Sequence, residues 1–344
     1  MQAKEGRIPF QDYQTWYRIV GDGEDPGKLP VVCLHGGPGS AHDYIEPLEA
    51  LAGTGRRAVF YDQIGCGKSP GPHDASFYDV KLFVDELRTV LRALDLGLIH
   101  LFGNSWGGML AMEYALTQPG GLASLLLASS PASIPQWVEE TTKLRAQLPA
   151  DVQSTLQRHE NAGTTDDPEY EAAAMSFYRR HVCRVDPWPD CVERSVVEEQ
   201  GLVYQTMAGP NEFVVTGTLR DWSIVDRLTE IDVPTLVVTG QHDEATPAVN
   251  DAVAQGIPGA QSVVFPDASH MAHVEHTAPY VELLDEFIRR RGPTPVPRCF
   301  LMGRPIRVQG TSSSSAYSQR PHTGRRFGRG DPSRTDEYSA VVRS

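Results

Sequence analysis

At 344 residues with 40% hydrophobic side chains, the chain is long enough for one large domain, or for a domain carrying an insertion. The net charge of −13 is unevenly spread: residues 292–344 hold nine Arg against three acids, which leaves −19 on residues 1–291. Such an acidic body repels phosphate backbones and anionic headgroups and attracts cationic small molecules, so nucleic acid and membrane are excluded as partners.

The segment 1–10 lacks an apolar leader core, and no run of about eighteen apolar residues follows. Five scattered cysteines form neither a CxxC pair nor a zinc-like spacing with histidine, so no disulfide framework is indicated. The chain reads as soluble and cytoplasmic, and no feature asks for a metal or an organic cofactor.

Short apolar runs at 31–35 and 57–62 predict the first strands. Over 80–94, Val80, Phe83, Val84, Leu87, Leu91 and Leu94 trace the apolar stripe of a helix whose Asp85, Glu86, Arg88 and Arg92 face water. Strands follow at 99–103, 122–128, 234–239 and 261–265. Alternating strands and amphipathic helices predict a mostly parallel sheet covered by helices. The alternation stops after Pro131 and resumes near Pro234, with charged, proline-marked helical sequence between. This segment, 131–225, is expected to be an inserted helical cap on a core made of 1–130 and 226–291. From residue 292 the Pro-, Ser- and Gly-Arg-rich sequence predicts a disordered basic tail.

Gly103-Asn104-Ser105-Trp106-Gly107 fits G-x-S-x-G between an apolar strand and a helical run. That is the setting in which a tight strand-to-helix turn presents a nucleophilic serine. A serine hydroxyl needs a base, and the base an orienting acid, here in the chain order Ser, Asp, His. Asp243 follows the 234–239 strand and His270 the 261–265 strand, which assigns them as acid and base beside Ser105. The competing His273 and His276 suit surface or supporting positions, His242 points away if Asp243 points inward, and Asp62 suits a structural role. Backbone N–H groups of Trp106 and of Gly37, in the His35-Gly36-Gly37-Pro38-Gly39 loop, are the expected oxyanion donors. One such donor is worth ~2.7–4 kcal/mol in the transition state.

These segments resemble the proline iminopeptidase group of α/β-hydrolases. Residues 35–39 match its HGGPG loop, 62–69 are similar to its DQxGxGxS, 103–108 read as its GxSWGG, and Met207 to Phe213 resemble its GPNEF segment. The similarity spans roughly residues 10–291. It implies an α/β-hydrolase fold with a helical cap, and a serine aminopeptidase acting on short peptides or amino-acid amides through an acyl-enzyme. It also implies that Glu212 and Glu244 hold the substrate's ammonium, with Glu244 alternatively supporting Asp243. Two close carboxylates repel each other, and an ammonium relieves that repulsion. Trp106, Phe213 and Tyr204 are candidates for the apolar wall around the first side chain. The rival readings are a carboxylesterase or biosynthetic amide or ester hydrolase whose substrate lacks a free amine, and a catalytically silent binding protein.

Overall fold

The computed structural model describes residues 2–199, 201–290 and 342–343. Strands β1 (Ala3–Phe10) and β2 (Tyr13–Val20) form an antiparallel hairpin. They are followed by β3 (Val31–Leu34), β4 (Ala58–Tyr61), β5 (Ile99–Asn104), β6 (Leu122–Ala128), β7 (Thr235–Gly240) and β8 (Gln261–Phe265). In space the order is β1-β2-β4-β3-β5-β6-β7-β8, parallel from β4 onward, with a two-residue β9 (Val342–Arg343) antiparallel to β8. This is the mostly parallel sheet expected from the alternation, in the α/β-hydrolase architecture that the resemblance implies.

The central strands are apolar on both faces because both are covered: β3, β4 and β5 are buried at every position. β3 pairs with β4 on one side and β5 on the other, so the loops leaving β3 and β5 diverge at their carboxyl ends and open a crevice there. The predicted strands correspond to β3 through β8. The hairpin β1–β2 was not predicted, for a physical reason. In β2 the buried residues come in adjacent pairs, Thr15–Trp16 and Ile19–Val20, so the period of two that marks a half-buried strand is absent.

Helix α1 (Val80–Ala93) starts where Asp79 accepts the N–H of Leu82 and buries the expected stripe. Glu86 is a correction: it does not face water but is fully buried. Its carboxyl accepts the Thr15 hydroxyl at 2.5 Å and the Ile64 N–H at 3.0 Å, tying α1 to β2 and to the loop after β4. Helical periodicity places Glu86 on the flank of the stripe but cannot see that a neighbouring loop needs an acceptor.

Among the described residues, five α-helices lie between β6 and β7: α3 (Ile134–Arg145), α4 (Ala150–Ala162), α5 (Pro168–His181), α6 (Asp190–Glu199) and α7 (Leu202–Met207). Leu148, Leu156, Tyr170, Ala174 and Phe177 form a small core of their own among them. Beyond β7 come α8 (Pro247–Gly256), the short α9 (Ala272–Glu275) and α10 (Thr277–Arg289). The expected tail lies outside the described residues apart from β9. Among the described residues no helix is long and apolar enough to cross a membrane.

Burial pushes the Glu86 carboxyl from the ordinary 4.5 up to about 8. Between those two values the native protein keeps a proton that the unfolded chain has released, so this residue's contribution to stability falls as pH rises through that window. Glu86→Gln, neutral at every pH and able to accept the Ile64 N–H through its oxygen while its amide NH2 donates to the Thr15 hydroxyl, is therefore expected to melt like the parent at pH 4 and a few degrees higher at pH 8, as read by thermal unfolding at the two values.

Candidate active site

Ser105 is the single residue between β5 and α2 (Trp106–Ala115), and it holds a left-handed backbone with φ 55° and ψ −123°. The flanking glycines are dictated by close approach. A Cβ on Gly103 would lie 2.2 Å from the carbonyl oxygen of Gly107, and one on Gly107 would lie 2.3 Å from that of Leu34 in β3. The Ser105 N–H is fixed by the Ala128 carbonyl at 2.9 Å, so strand β6 also holds the turn. The N-terminus of α2, the positive end of its dipole, starts at this serine.

Asp243 lies in the loop after β7 and is buried. Its Oδ1 accepts the Ala245 N–H at 2.8 Å and meets His270 Nδ1 at 2.8 Å. Its Oδ2 accepts the Thr239 hydroxyl at 2.9 Å and the Gly240 N–H at 3.3 Å. Four partners leave the carboxylate one orientation. His270 comes from the loop after β8, where its backbone N–H donates to His181 and the Trp137 ring meets its edge at 6.0 Å. Engaging Nδ1 with Asp243 leaves Nε2 for other chemistry. Ser105 and His270 both line a cavity of about 610 Å³.

The glycine loop after β3 is held by a hydrogen-bond chain. His35 Nε2 accepts the Gln63 N–H at 3.0 Å, so its proton sits on Nδ1, which donates to Gly36 O at 3.0 Å; burial lowers this histidine's pKa. Gln63 in turn donates to His35 O and accepts the Trp106 indole N–H at 2.8 Å. Gly37 (φ 105°) and Trp106 thus stand on loops linked through one glutamine. Asp62 lies below them, buried, accepting from His42 and from the Lys68 N–H. Its pKa is lowered because these bonds outweigh desolvation.

Glu212 and Glu244 line the same cavity as Ser105 and His270. Glu244 is buried, with Oε1 3.7 Å from His270 Nδ1, so adjacent Asp243 and Glu244 both face the histidine. Glu212 accepts the Tyr204 hydroxyl at 2.8 Å. Desolvation raises the Glu212 pKa against the Tyr204 hydrogen bond and the charge of His270. Tyr204 lines the cavity, and Trp106 lines a narrower cleft of about 30 Å³ beside Ser105. Phe213 is a correction: it lines neither space, but packs on Phe177 with ring centroids 5.1 Å apart in the helical core between β6 and β7. The turn explains this. Asn211 accepts the Phe213 N–H and donates to the Tyr170 hydroxyl, while Trp137 donates to Glu212 O at 2.7 Å. The turn so fixed sends neighbouring side chains to opposite sides.

His242 is partly exposed and turned away from the cavity, 4.0 Å from Asp267. His273 is buried against Tyr44 and Tyr280. Two groups have metal-like spacing among the described residues, His42-Asp43-Glu46 and His159-Asp167-Glu169. Their acids already have partners: Arg194 bridges Asp43 and Glu46, and Arg158 pairs with Glu169.

Fold and site together define a serine hydrolase of the α/β class. The profile described as "alpha/beta hydrolase fold" matches residues 30–277. The chain is 40% identical over 293 residues to the proline iminopeptidase of Lactobacillus helveticus (strain DPC 4571), covering 84% of this chain and 98% of that one. Among solved structures, VinJ superposes with a TM-score of 0.81 at 45% identity over 84% of this chain and 99% of that one. The proline iminopeptidase of Mycobacterium smegmatis does so with a TM-score of 0.78, also at 45% identity, over 84% and 98%. The chain belongs to the proline iminopeptidase family of α/β-hydrolases.

Gly107→Ala is expected to displace the end of β3 against the turn. It should lower the melting temperature and sharply slow labelling of Ser105 by a fluorophosphonate probe, with both read on the purified variant.

Proposed function

We propose that the protein is a serine aminopeptidase that releases an N-terminal residue, proline or another small apolar one, from short peptides or amino-acid amides. One observation carries this reading. The cavity that holds Ser105 and His270 is also lined by Glu212 and Glu244, and no lysine or arginine is among its described lining residues. Carboxylates turned into a partly apolar cavity are unfavourable unless a cation meets them, and a substrate's N-terminal ammonium supplies that cation. An ester without an amine would bring no cation to them. The family relationship points the same way.

In this mechanism His270 Nε2 takes the Ser105 proton as the oxygen attacks the first carbonyl, and Asp243 stabilises the imidazolium through Nδ1. The N–H groups of Gly37 and Trp106 hold the oxyanion. The proton then passes to the departing amine, and a water activated by His270 cleaves the acyl-enzyme. The narrow cleft walled by Trp106, Met109, Ile134, Trp137 and Leu219 suits a compact first side chain, and the wider cavity takes the departing portion. Segment 131–225 acts as a cap, since its Tyr170, Met175, Trp188 and Tyr204 wall that cavity opposite the sheet loops and limit the length of substrate. Free thiols at Cys33, Cys66, Cys183 and Cys191 suit a reducing, cytoplasmic compartment.

Ser105→Ala is expected to lower kcat/KM on L-proline β-naphthylamide by at least about 10⁴-fold with the fold intact; a purified variant that keeps its activity would sink the assignment. Glu212→Gln should cost the same substrate about 30-fold or more while changing hydrolysis of a p-nitrophenyl ester less than about threefold. Equal losses on both would remove Glu212 from amine recognition. Because the Glu212 pKa is raised and only its charged form attracts an ammonium, the acid-side loss of kcat/KM should begin at higher pH for the amine substrate than for the ester.

A further inference from the structure

We infer that Tyr44 is a positioning residue for acyl transfer: its hydroxyl locks the Gly36–Gly37 backbone to the Asn104–Ser105 turn and so sets where the oxyanion donor meets the attacked carbonyl. The inference rests on the mechanism above only for the role of Gly37. No motif in the sequence draws attention to Tyr44.

Tyr44 lies in the 3-10 helical segment His42–Thr54, directly after the glycine loop, and is 3% exposed on the cavity shared by Ser105 and His270. Its hydroxyl accepts the Gly36 N–H at 2.7 Å and donates to Asn104 Oδ1 at 2.8 Å. A phenol has one proton, so committing it to Asn104 leaves the oxygen lone pair for Gly36. Asn104 extends the chain through Nδ2 toward the carbonyls of Ala128 at 3.3 Å and His270 at 3.4 Å. One oxygen thereby joins the loop after β3, the residue preceding the nucleophile and, one step further, the backbone of the base.

The tyrosine is itself pinned. Its N–H donates to Ser195 Oγ at 2.8 Å and its carbonyl accepts from His273 Nε2 at 3.1 Å. The His273 ring lies 5.6 Å from its own. There is no slack between Gly36 and the nucleophile: a Cβ on Gly36 would lie 3.0 Å from Ser105 Cβ. A shift of the Gly36–Gly37 peptide therefore changes the oxyanion geometry directly, and geometry of this kind decides how much a hydrogen-bond donor contributes.

Tyr44→Phe keeps the ring and removes the oxygen. The expected result on L-proline β-naphthylamide is a kcat lower by about 10- to 100-fold with KM within about threefold of the parent. The inhibition constant of the boronic-acid analogue of proline, which forms a tetrahedral adduct on Ser105, should rise by the same factor, while that of free proline stays within about twofold. A residue that merely supported the fold would not separate the tetrahedral analogue from the product. A kcat within about twofold of the parent, or equal losses for the two inhibitors, overturns the proposal.

The p-nitrophenyl ester keeps this test independent of substrate class, because an oxyanion forms there too and the same loss of kcat is expected. If the parent cleaves the ester but no free-amine substrate, the aminopeptidase reading fails and Tyr44 is judged on the ester. If the parent cleaves the amine substrate and Tyr44→Phe does so equally well, the reading stands and the role of Tyr44 falls. Should Tyr44→Phe not fold, Asn104→Ala frees the phenol proton while leaving the ring in place. It should lower kcat about fivefold or more with KM little changed, and an unaltered kcat overturns the proposal.

Discussion

Everything at this site depends on the backbone of one residue. Ser105 sits at φ 55°, a conformation that costs a side-chain-bearing residue roughly 1–3 kcal/mol and persists only where its surroundings over-determine it. Here they do. Its N–H is bound to β6, the carbonyl oxygen of Gly107 fills the space a Cβ on Gly103 would need, and Gly107 packs on the last residue of β3. Three parallel strands and the first turn of α2 close around the serine, so the hydroxyl is held above the sheet edge without a side chain of its own being spent on support.

From that turn the remaining groups are placed by hydrogen bonds between loops. Gln63 ties the glycine loop to the Trp106 indole. Tyr44 ties the same loop to Asn104. Asp243 is gripped by Thr239, Gly240 and Ala245 before it meets His270. Loops at the carboxyl edge of a parallel sheet have no ladder to set their positions, and buried polar side chains with every valence directed supply the rigidity instead.

Two buried acids and one half-buried acid show how environment assigns different work to one functional group. Asp62 collects His42 and a backbone N–H, and its pKa falls. Burial, with no cation paired to it among the described residues, drives the Glu86 pKa up to about 8, so near neutrality it serves as a protonated strut between α1, β2 and the loop after β4. Glu212 is desolvated at the cavity, where a tyrosine hydroxyl and the charge of a histidine offset the cost in part, and its pKa also rises. That arrangement suits a group completed by an incoming cation.

The sequence by itself determined the sheet from β3 to β8, the helix α1 and the likeness to an iminopeptidase. Strands covered on both faces read as continuous apolar runs, and the G-x-S-x-G turn needs glycine at fixed offsets because backbone touches backbone there. It also placed Asp243 and His270 directly after the strands that become β7 and β8, since chain order and strand ends are local properties. The tertiary structure alone decided what depends on distant partners. The burial of Glu86 beneath Thr15 and Ile64 and the shared direction of Asp243 and Glu244 toward His270 are of this kind. So are the turn of Phe213 into the helical core and the bridge made by Tyr44. Glu86, Glu244, Phe213 and Tyr44 meet groups far away in sequence, and residue type and spacing carry no record of where those groups come to rest.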